Sequence, residues 1–376
     1  MKVAYLLGSL NRGGTETLVL NVFKNLKNNQ FDAIGFYRKT GLLEDELLNT
    51  NVPMIHIPDK RNYFIYLKKL RSEILKNKVT IIHAQQPLDA FNASIVCIGK
   101  KIPVVLTLHG YDFRQTLVSK IILKLILPLT NKNFYVSETQ KNYYTKKYKL
   151  SVKNQIVVYN GVPFSDFNKI NLSDKKNNLI RNELNIDKNH LLLGCVGNFN
   201  EVRDQIVICK FLRVLKEKIS DFHFIFIGGK VNYAPDLFDN CVQYCESNDL
   251  KKNVSFLGSR SDVFDILPQL DSFIYATNHD TFGIAVIEAM SAKIPVFVND
   301  WGVMNEVTDN GQYATLYKTK DENDLLLKFM LFLQNKSPFI QKAKSASEYV
   351  KTKFSIHKHI ENLFYEYELL INNNSK

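Results

Sequence analysis

The stretch HDTFGIAVIEAM, His279 to Met290, sets two carboxylates eight positions apart, Asp280 and Glu288, with Phe282-Gly283 between them and an apolar run leading into the second. A helix starting near Gly283 leaves Asp280 in the preceding loop and Glu288 about a turn and a half inside. At ~1.5 Å rise per residue the two acids then lie several ångströms apart along the axis. Carboxylates astride a single glycosidic bond stand roughly 5–9.5 Å apart, and the spacing alone does not supply that pair. It better suits two acceptors reading different parts of one extended ligand. Between them, the backbone amides of Phe282, Gly283 and Ile284 would face an anion at the helix start. Carboxylates accept hydrogen bonds from sugar and ribose hydroxyls, and amides hold a diphosphate. The stretch therefore reads as a site for a sugar nucleotide.

Three further motifs could do chemistry. GSLNRGGTE (Gly8 to Glu16) follows an apolar run and opens a helix, and its Gly13-Gly14 pair lets amides approach a phosphate. It mimics a phosphate-binding P-loop, but Gly14 stands at the lysine position, and no G-x-G-x-x-G is present. An NTPase and a dehydrogenase are thereby disfavoured. VVLTLHGYD places His109 just past an apolar strand, where an open sheet presents residues to its ligand; His83, in TIIHAQQ, is placed similarly with a weaker case. VGNFNEVRDQ puts Arg203 in a turn before a helix, where a guanidinium can bind phosphate with two donors. Each has a structural alternative: a turn needing positive φ, a core histidine, an exposed ion pair of Arg203 with Asp204 or Glu201.

The elements that would position these residues are legible as short continuous apolar runs. VAYLL, AIGFY, MIHI, TIIHA, VVLTL, NFYV and QIVVY come first; LLLGCV, FHFIFIG, VSFLG, SFIYA, IPVFV and ATLY follow. Continuous runs suit strands covered on both faces, and their alternation with helical patterns implies parallel sheets. The polar segment Tyr159 to Asn178 is the best linker between two such sets. We expect an N-terminal Rossmann-like domain over 1–165, a second over 166–354, and a C-terminal helix over 355–376 that could pack back on the first. With two sheets facing each other, the cleft between them is the default site.

The 376 residues carry a net charge of +12, and it is unevenly spread. Residues 1–165 hold 24 Lys and Arg against 10 Asp and Glu, whereas 166–376 hold 25 against 27. A basic half points to nucleic acid, an anionic membrane surface or an anionic substrate. Much of the charge lies in Lys60 to Lys78 and Lys141 to Lys149, interleaved with aromatic and aliphatic residues, a composition shared by single-strand binders, lipid-bound amphipathic helices and plain solvated helix faces. The five cysteines form no C-x-x-C pair, which favours reduced, buried thiols over a zinc site. Ile121 to Leu129 is the most lipid-like stretch, but Lys124 and Pro128 interrupt it, and Val3 to Leu7 is too short for a signal-peptide core. We expect a cytoplasmic protein.

Taken in order, NRGGTE, TLHGYD, YNGVPFSDF, VGNFNEVRD and DTFGIAVIEAMSAKIPVFV resemble glycosyltransferase family four, retaining enzymes of the two-domain GT-B fold. The resemblance spans nearly the whole chain. It implies that Gly13 and Gly14 line the diphosphate and reacting region, that His109 lies near the donor sugar, and that Arg203 neutralises the leaving β-phosphate with Asn198 in the same loop. It implies that Asp280 holds sugar hydroxyls and Glu288 the ribose, with Thr281, Phe282, Gly283 and Ile284 around the donor and Gly258, Ser259 and Arg260 near the base. Asp280, Asn198 and Lys293 stand where the family usually has glutamate, arginine and glycine. Such enzymes usually need no metal, no D-x-D pair occurs here, and no cofactor beyond the nucleotide sugar, taken as UDP-linked, is expected. The implied activity is hexosyl or N-acetylhexosaminyl transfer to a saccharide or lipid-linked saccharide for bacterial surface polysaccharide. The basic domain would dock on the inner face of the cell membrane, with no nucleic acid involved. The alternatives are a sugar-nucleotide 2-epimerase of the same fold, and a non-catalytic nucleotide-sugar or nucleic-acid binding protein.

Overall fold

A computed structural model describes residues 1–26, 30–59, 62–113, 115–164 and 179–374. Most of the linker segment, including the 165/166 boundary, lies outside the described residues, as do Lys60 and Arg61. The chain divides into two compact units, Met1–Val162 with Phe354–Lys376, and Pro163–Lys353.

In the first unit seven strands form one sheet: β1 (Lys2–Leu7), β2 (Asp32–Tyr37), β3 (Met54–His56), β4 (Ile81–Ala84), β5 (Val104–Leu108), β6 (Lys132–Tyr135) and β7 (Gln155–Val157). Their order is β3-β2-β1-β4-β5-β6-β7, and every pair is parallel. Helices α1 (Gly14–Asn25), α2 (Glu44–Leu48), α3 (Tyr63–Lys76), α4 (Pro87–Val96), α5 (Leu117–Ile126) and α6 (Glu138–Tyr148) make the crossovers. The period of two along β1 explains the layering. Val3, Tyr5 and Leu7 enter one core with α1 and the C-terminal helix Ile356–Asn374, whereas Ala4 and Leu6 enter the other with α3 to α6. Both faces are covered, so the strands read as unbroken apolar runs.

The C-terminal helix sends Ile360, Leu363 and Tyr367 into the first core, and His83 is hydrogen-bonded with the Tyr367 hydroxyl and with Thr107 Oγ1, each at 2.5 Å. His83 is thus a buried structural tie. The Val162 amide donates to the Phe354 carbonyl at 2.9 Å and the Ile356 amide to that of Val162 at 3.0 Å. Gly161 allows this approach, because a Cβ there would lie 2.6 Å from Ile356 Cα.

The second unit repeats the plan with β8 (Leu191–Val196), β9 (Phe222–Ile227), β10 (Val254–Phe256), β11 (Ser272–Tyr275), β12 (Val296–Asn299) and β13 (Thr315–Tyr317). Their order is β10-β9-β8-β11-β12-β13, again parallel throughout. Each of the thirteen strands falls on one of the apolar runs, and both sheets are doubly wound as expected. The five cysteines are free and buried. Among the described residues, no helix is long and apolar enough to cross a membrane.

Candidate functional site

Strand order reverses at β1/β4 in the first sheet and at β8/β11 in the second. The carboxyl ends of strands at such points open the crevice where doubly wound sheets take ligands. The residues singled out by sequence lie at the carboxyl ends of the strands of the two sheets.

In the second unit, the loop after β8 is zipped to the loop after β11. The Asp204 amide donates to the Ala276 carbonyl at 3.1 Å and the Asn278 amide to the Val202 carbonyl at 2.8 Å, bracketing a bridge between Arg203 and Thr277. This brings Arg203 onto Asp280: Nη1 donates to Oδ2 at 2.8 Å, and the guanidinium carbon stands 4.9 Å over the Tyr275 ring. The Tyr275 hydroxyl donates to the same Oδ2 at 2.6 Å, and the Thr281 amide to Oδ1 at 2.9 Å. Burial opposes ionisation of Asp280, but Arg203, Tyr275 and the amides of Thr281 and Phe282 outweigh it and hold the carboxyl below its usual range. Burial works against the charge on Arg203 too, and Asp280 more than restores it. The exposed pair with Asp204 or Glu201 is therefore not what forms.

The helix Ile284–Ser291 starts where expected, with Gly283 as its N-cap at φ +83°. That left-handed conformation and the 2.6 Å a Cβ would have to Met304 Cε both demand glycine. One expectation needs correction. The Phe282 amide serves the Asp280 carboxylate, so Asp280 itself occupies part of the anion-facing helix start. The amides of Gly283 and Ile284 have no partner among the described residues. One turn in, Glu288 is half-buried, with no side-chain hydrogen bond among the described residues, and burial pushes its carboxyl up to about 7.

Two more residues are committed elsewhere. Asn198 Oδ1 accepts from the Gly229 amide at 2.8 Å, so it braces the turn where the resemblance has an arginine. Arg260, after β10, gives Nη1 to Glu183 at 2.6 Å and Nη2 to Asp262 at 2.7 Å, with Nε also on Asp262 at 2.8 Å. A base near Gly258 and Ser259 would meet backbone and the serine hydroxyl, with the Arg260 guanidinium already spent. Gly258 itself is left-handed, at φ +66°.

In the first unit, Gly13 is the N-cap of α1 and Gly14 its exposed first residue. Glu16 curls back beneath them: a Cβ on Gly13 would lie 2.7 Å from Glu16 Oε2, and burial raises that carboxyl against the pull of its own amide. At the end of β5, His109 donates from Nε2 to Gln85 Oε1, beyond β4, at 2.9 Å. Burial, then the nearby His359, push His109 down to about 3, so it is neutral at physiological pH. His359 gives its Nδ1–H to the Tyr159 carbonyl at 2.6 Å.

Sequence reasoning missed Glu16, Gln85, Tyr275 and His359. It also missed Arg38, which at the end of β2 holds Asp59 and the buried Asp89, each at 3.0 Å. Position at a strand's carboxyl end was the available signal for Arg38 and Gln85; no local signal marks His359, which lies 200 residues from its partner Tyr159.

The basic segment Lys141 to Lys149 also reads differently in the structure. Tyr144 is buried, Tyr143 packs edge-on to Tyr111 and Phe113, and Lys147 holds the buried Asp112 at 2.8 Å through both oxygens. Of its aromatics, Tyr144 belongs to the core, and Tyr143 and Tyr148 pack partly buried against it.

Residues 12–166 match the family model described as Glycosyltransferase Family 4, and residues 176–353 that of Glycosyl transferases group 1. The O-antigen biosynthesis glycosyltransferase WclY of Escherichia coli is 23% identical over 337 residues, 87% of either chain. An Escherichia coli UDP-Gal:alpha-D-GlcNAc-diphosphoundecaprenol alpha-1,3-galactosyltransferase is 24% identical over 310 residues, 76% of either chain. Among solved structures, Anabaena HepE in complex with UDP and glucose superposes with a TM-score of 0.86 at 16% identity, covering 98% of this chain and 99% of its own. With both halves matched in order and two doubly wound parallel sheets beneath them, the chain belongs to the group 1, family 4 glycosyltransferases of the GT-B fold, and it is a transferase.

Proposed function

We propose that this glycosyltransferase moves a hexosyl or N-acetylhexosaminyl unit from a UDP-sugar to a lipid-linked saccharide in surface polysaccharide synthesis, with retention of configuration and without a metal. The observation that carries this reading is the second unit's half-site. Arg203 and Asp280 are locked on each other beside the amides of Gly283 and Ile284, which have no partner among the described residues, with a half-buried Glu288 one turn further on. Amides and guanidinium suit a diphosphate; Asp280 and Glu288 suit the hydroxyls on either side of it. One relative's name includes a UDP-sugar donor, and that name and a second include a diphosphoundecaprenol-linked acceptor, which supports the donor and acceptor classes.

The step breaks the bond from the sugar's anomeric carbon to the β-phosphate oxygen and forms one to the acceptor oxygen on the same face. The acceptor's proton passes to the departing phosphate. Arg203 and the helix amides stabilise the charge that develops there. Within the first unit, neutral His109 and the Gly13-Gly14 turn are the groups to which we assign positioning of the reacting groups. In this reading the basic first unit docks the protein on the cytoplasmic face of the membrane.

Thermal unfolding with UDP, GDP, ADP and NAD, with and without EDTA, tests the donor site. A ligand at 100 times its dissociation constant adds ~2.7 kcal/mol. Stabilisation by UDP that resists EDTA and is lost in Glu288→Ala is expected; indifference to every nucleoside diphosphate refutes the reading. Incubation with labelled UDP-sugars and a short-chain lipid diphosphate saccharide then identifies sugar and anomer.

A further inference from the structure

Helix α5 is apolar on two sides. Leu123 and Ile126 face the core, as any helix on a sheet requires. Leu117, Val118, Ile121 and Leu125 are nevertheless each at least half exposed, Leu117 at 75%. At 100° per residue these four span one arc of the helix opposite the buried pair, with Lys120 and Lys124 along its edge. A helix apolar all round is ordinarily enclosed or in contact with lipid, and a continuous exposed apolar patch marks an interaction surface.

Charge selects the partner. From Ala90 to Ser137 the sequence holds six Lys and Arg against one acid, Asp112; Lys132 is buried against Glu366 and Asp112 against Lys147, which leaves the remaining five positive charges unopposed within this stretch. In the same layer, beyond α4, α3 carries exposed Phe64 and Ile65 in its first turn, the former 80% exposed, followed by exposed Lys68 and Lys69. Both helices follow strands of a parallel sheet, so their N-termini lie at its carboxyl end, the end that carries His109 and the Gly13-Gly14 turn.

We infer that α5 is a membrane anchor: Leu117, Val118, Ile121 and Leu125 insert into the acyl boundary of an anionic bilayer while Lys120 and Lys124 pair with lipid phosphates. The inference rests on the lipid-linked acceptor reading and adds the surface that delivers it. Docking by α5 turns the carboxyl end of the first sheet toward the bilayer that holds the acceptor's lipid. Amphipathic helices of this kind combine buried apolar area with attraction to anionic headgroups, so added salt weakens the binding without abolishing it.

The test is co-sedimentation with vesicles of phosphatidylglycerol and phosphatidylcholine, and of phosphatidylcholine alone. Wild type is compared with the combined Leu117→Ser, Ile121→Ser and Leu125→Ser variant, which alters only solvent-facing positions. Preserved stabilisation by UDP reports that the variant is folded. Wild type is expected on the anionic vesicles and the triple variant at least ~tenfold more weakly bound. Ile121→Trp is expected to shift its emission to the blue and be quenched by brominated lipid, against the background of the chain's single Trp301. If the triple variant binds like wild type, α5 is not the anchor, although the membrane reading stands. If wild type binds no vesicle, both fall. If the substitutions instead dissolve a dimer seen by sedimentation, the face belongs to a second copy and the inference is overturned.

Discussion

Glu288 is expected to make donor affinity depend on pH in a way that can be calculated. Its carboxyl sits half-buried, and burial alone moves it from an ordinary 4.5 up to about 7. Only the carboxylate can accept from two ribose hydroxyls at once. About one-eleventh of the groups are ionised at pH ~6 and about ten-elevenths at pH ~8. Because apparent affinity scales with the competent fraction, the Kd for UDP-glucose should tighten about tenfold between those values. UDP-glucose is the right probe, since its diphosphate is doubly esterified and has no proton to lose in this window. His109 and His359, held down to about 3 and about 4, do not titrate there either. Calorimetry in buffers of different ionisation enthalpy should show nearly one proton released per ligand at the acid end and almost none at the alkaline end. In Glu288→Gln both trends should vanish. The same shift makes Glu288 favour the unliganded fold below 4.5 and penalise it as pH rises through about 7. That penalty is at most ~3 kcal/mol, and less in proportion to the water that reaches the side chain. A wild-type Kd that is flat across the window, or a glutamine variant that keeps the slope, refutes the reasoning.

Three substitutions test the rest of the second unit's half-site. Asp280→Asn leaves Arg203 buried without its counter-ion and should destabilise the second unit by ~3–5 kcal/mol in denaturant unfolding while abolishing transfer. Gly283→Ala sets a methyl 2.6 Å from Met304 Cε at φ +83° and should lower stability by ~1–2 kcal/mol; Met304→Ala, adding room but not relieving the backbone, should not restore it in thermal melts. Lys293→Gly should stabilise, because exposed Lys293 sits at φ +59° just past the helix that carries Glu288. A gain of ~0.5–1 kcal/mol would appear as a rise of ~1–4 °C in the unfolding midpoint of the second unit.

What the sequence determined by itself is the part of the protein governed by short-range physics. Strands buried on both faces must be continuously apolar, which is why runs such as VVLTL and FHFIFIG mark their own positions. The glycine at a left-handed helix entry announces itself too, so Gly283, the helix behind it and the loop position of Asp280 were all readable. Even Lys293 becomes intelligible: glycine is usual there because the backbone is left-handed. What only the tertiary structure decided is which charges meet. Arg203 and Asp280 are separated by 77 positions and joined because strand order sets β8 beside β11, a fact no local pattern encodes. The same holds for Tyr275 on Asp280, for the burial that raises Glu288, and for the fate of the basic segments. Lys147 turned inward to Asp112, whereas α5, whose second half the sequence marked only as a lipid-like stretch interrupted by Lys124 and Pro128, keeps an apolar face in the open. Helical periodicity says which residues share a face; only the packing of neighbouring elements says which face is left without a partner.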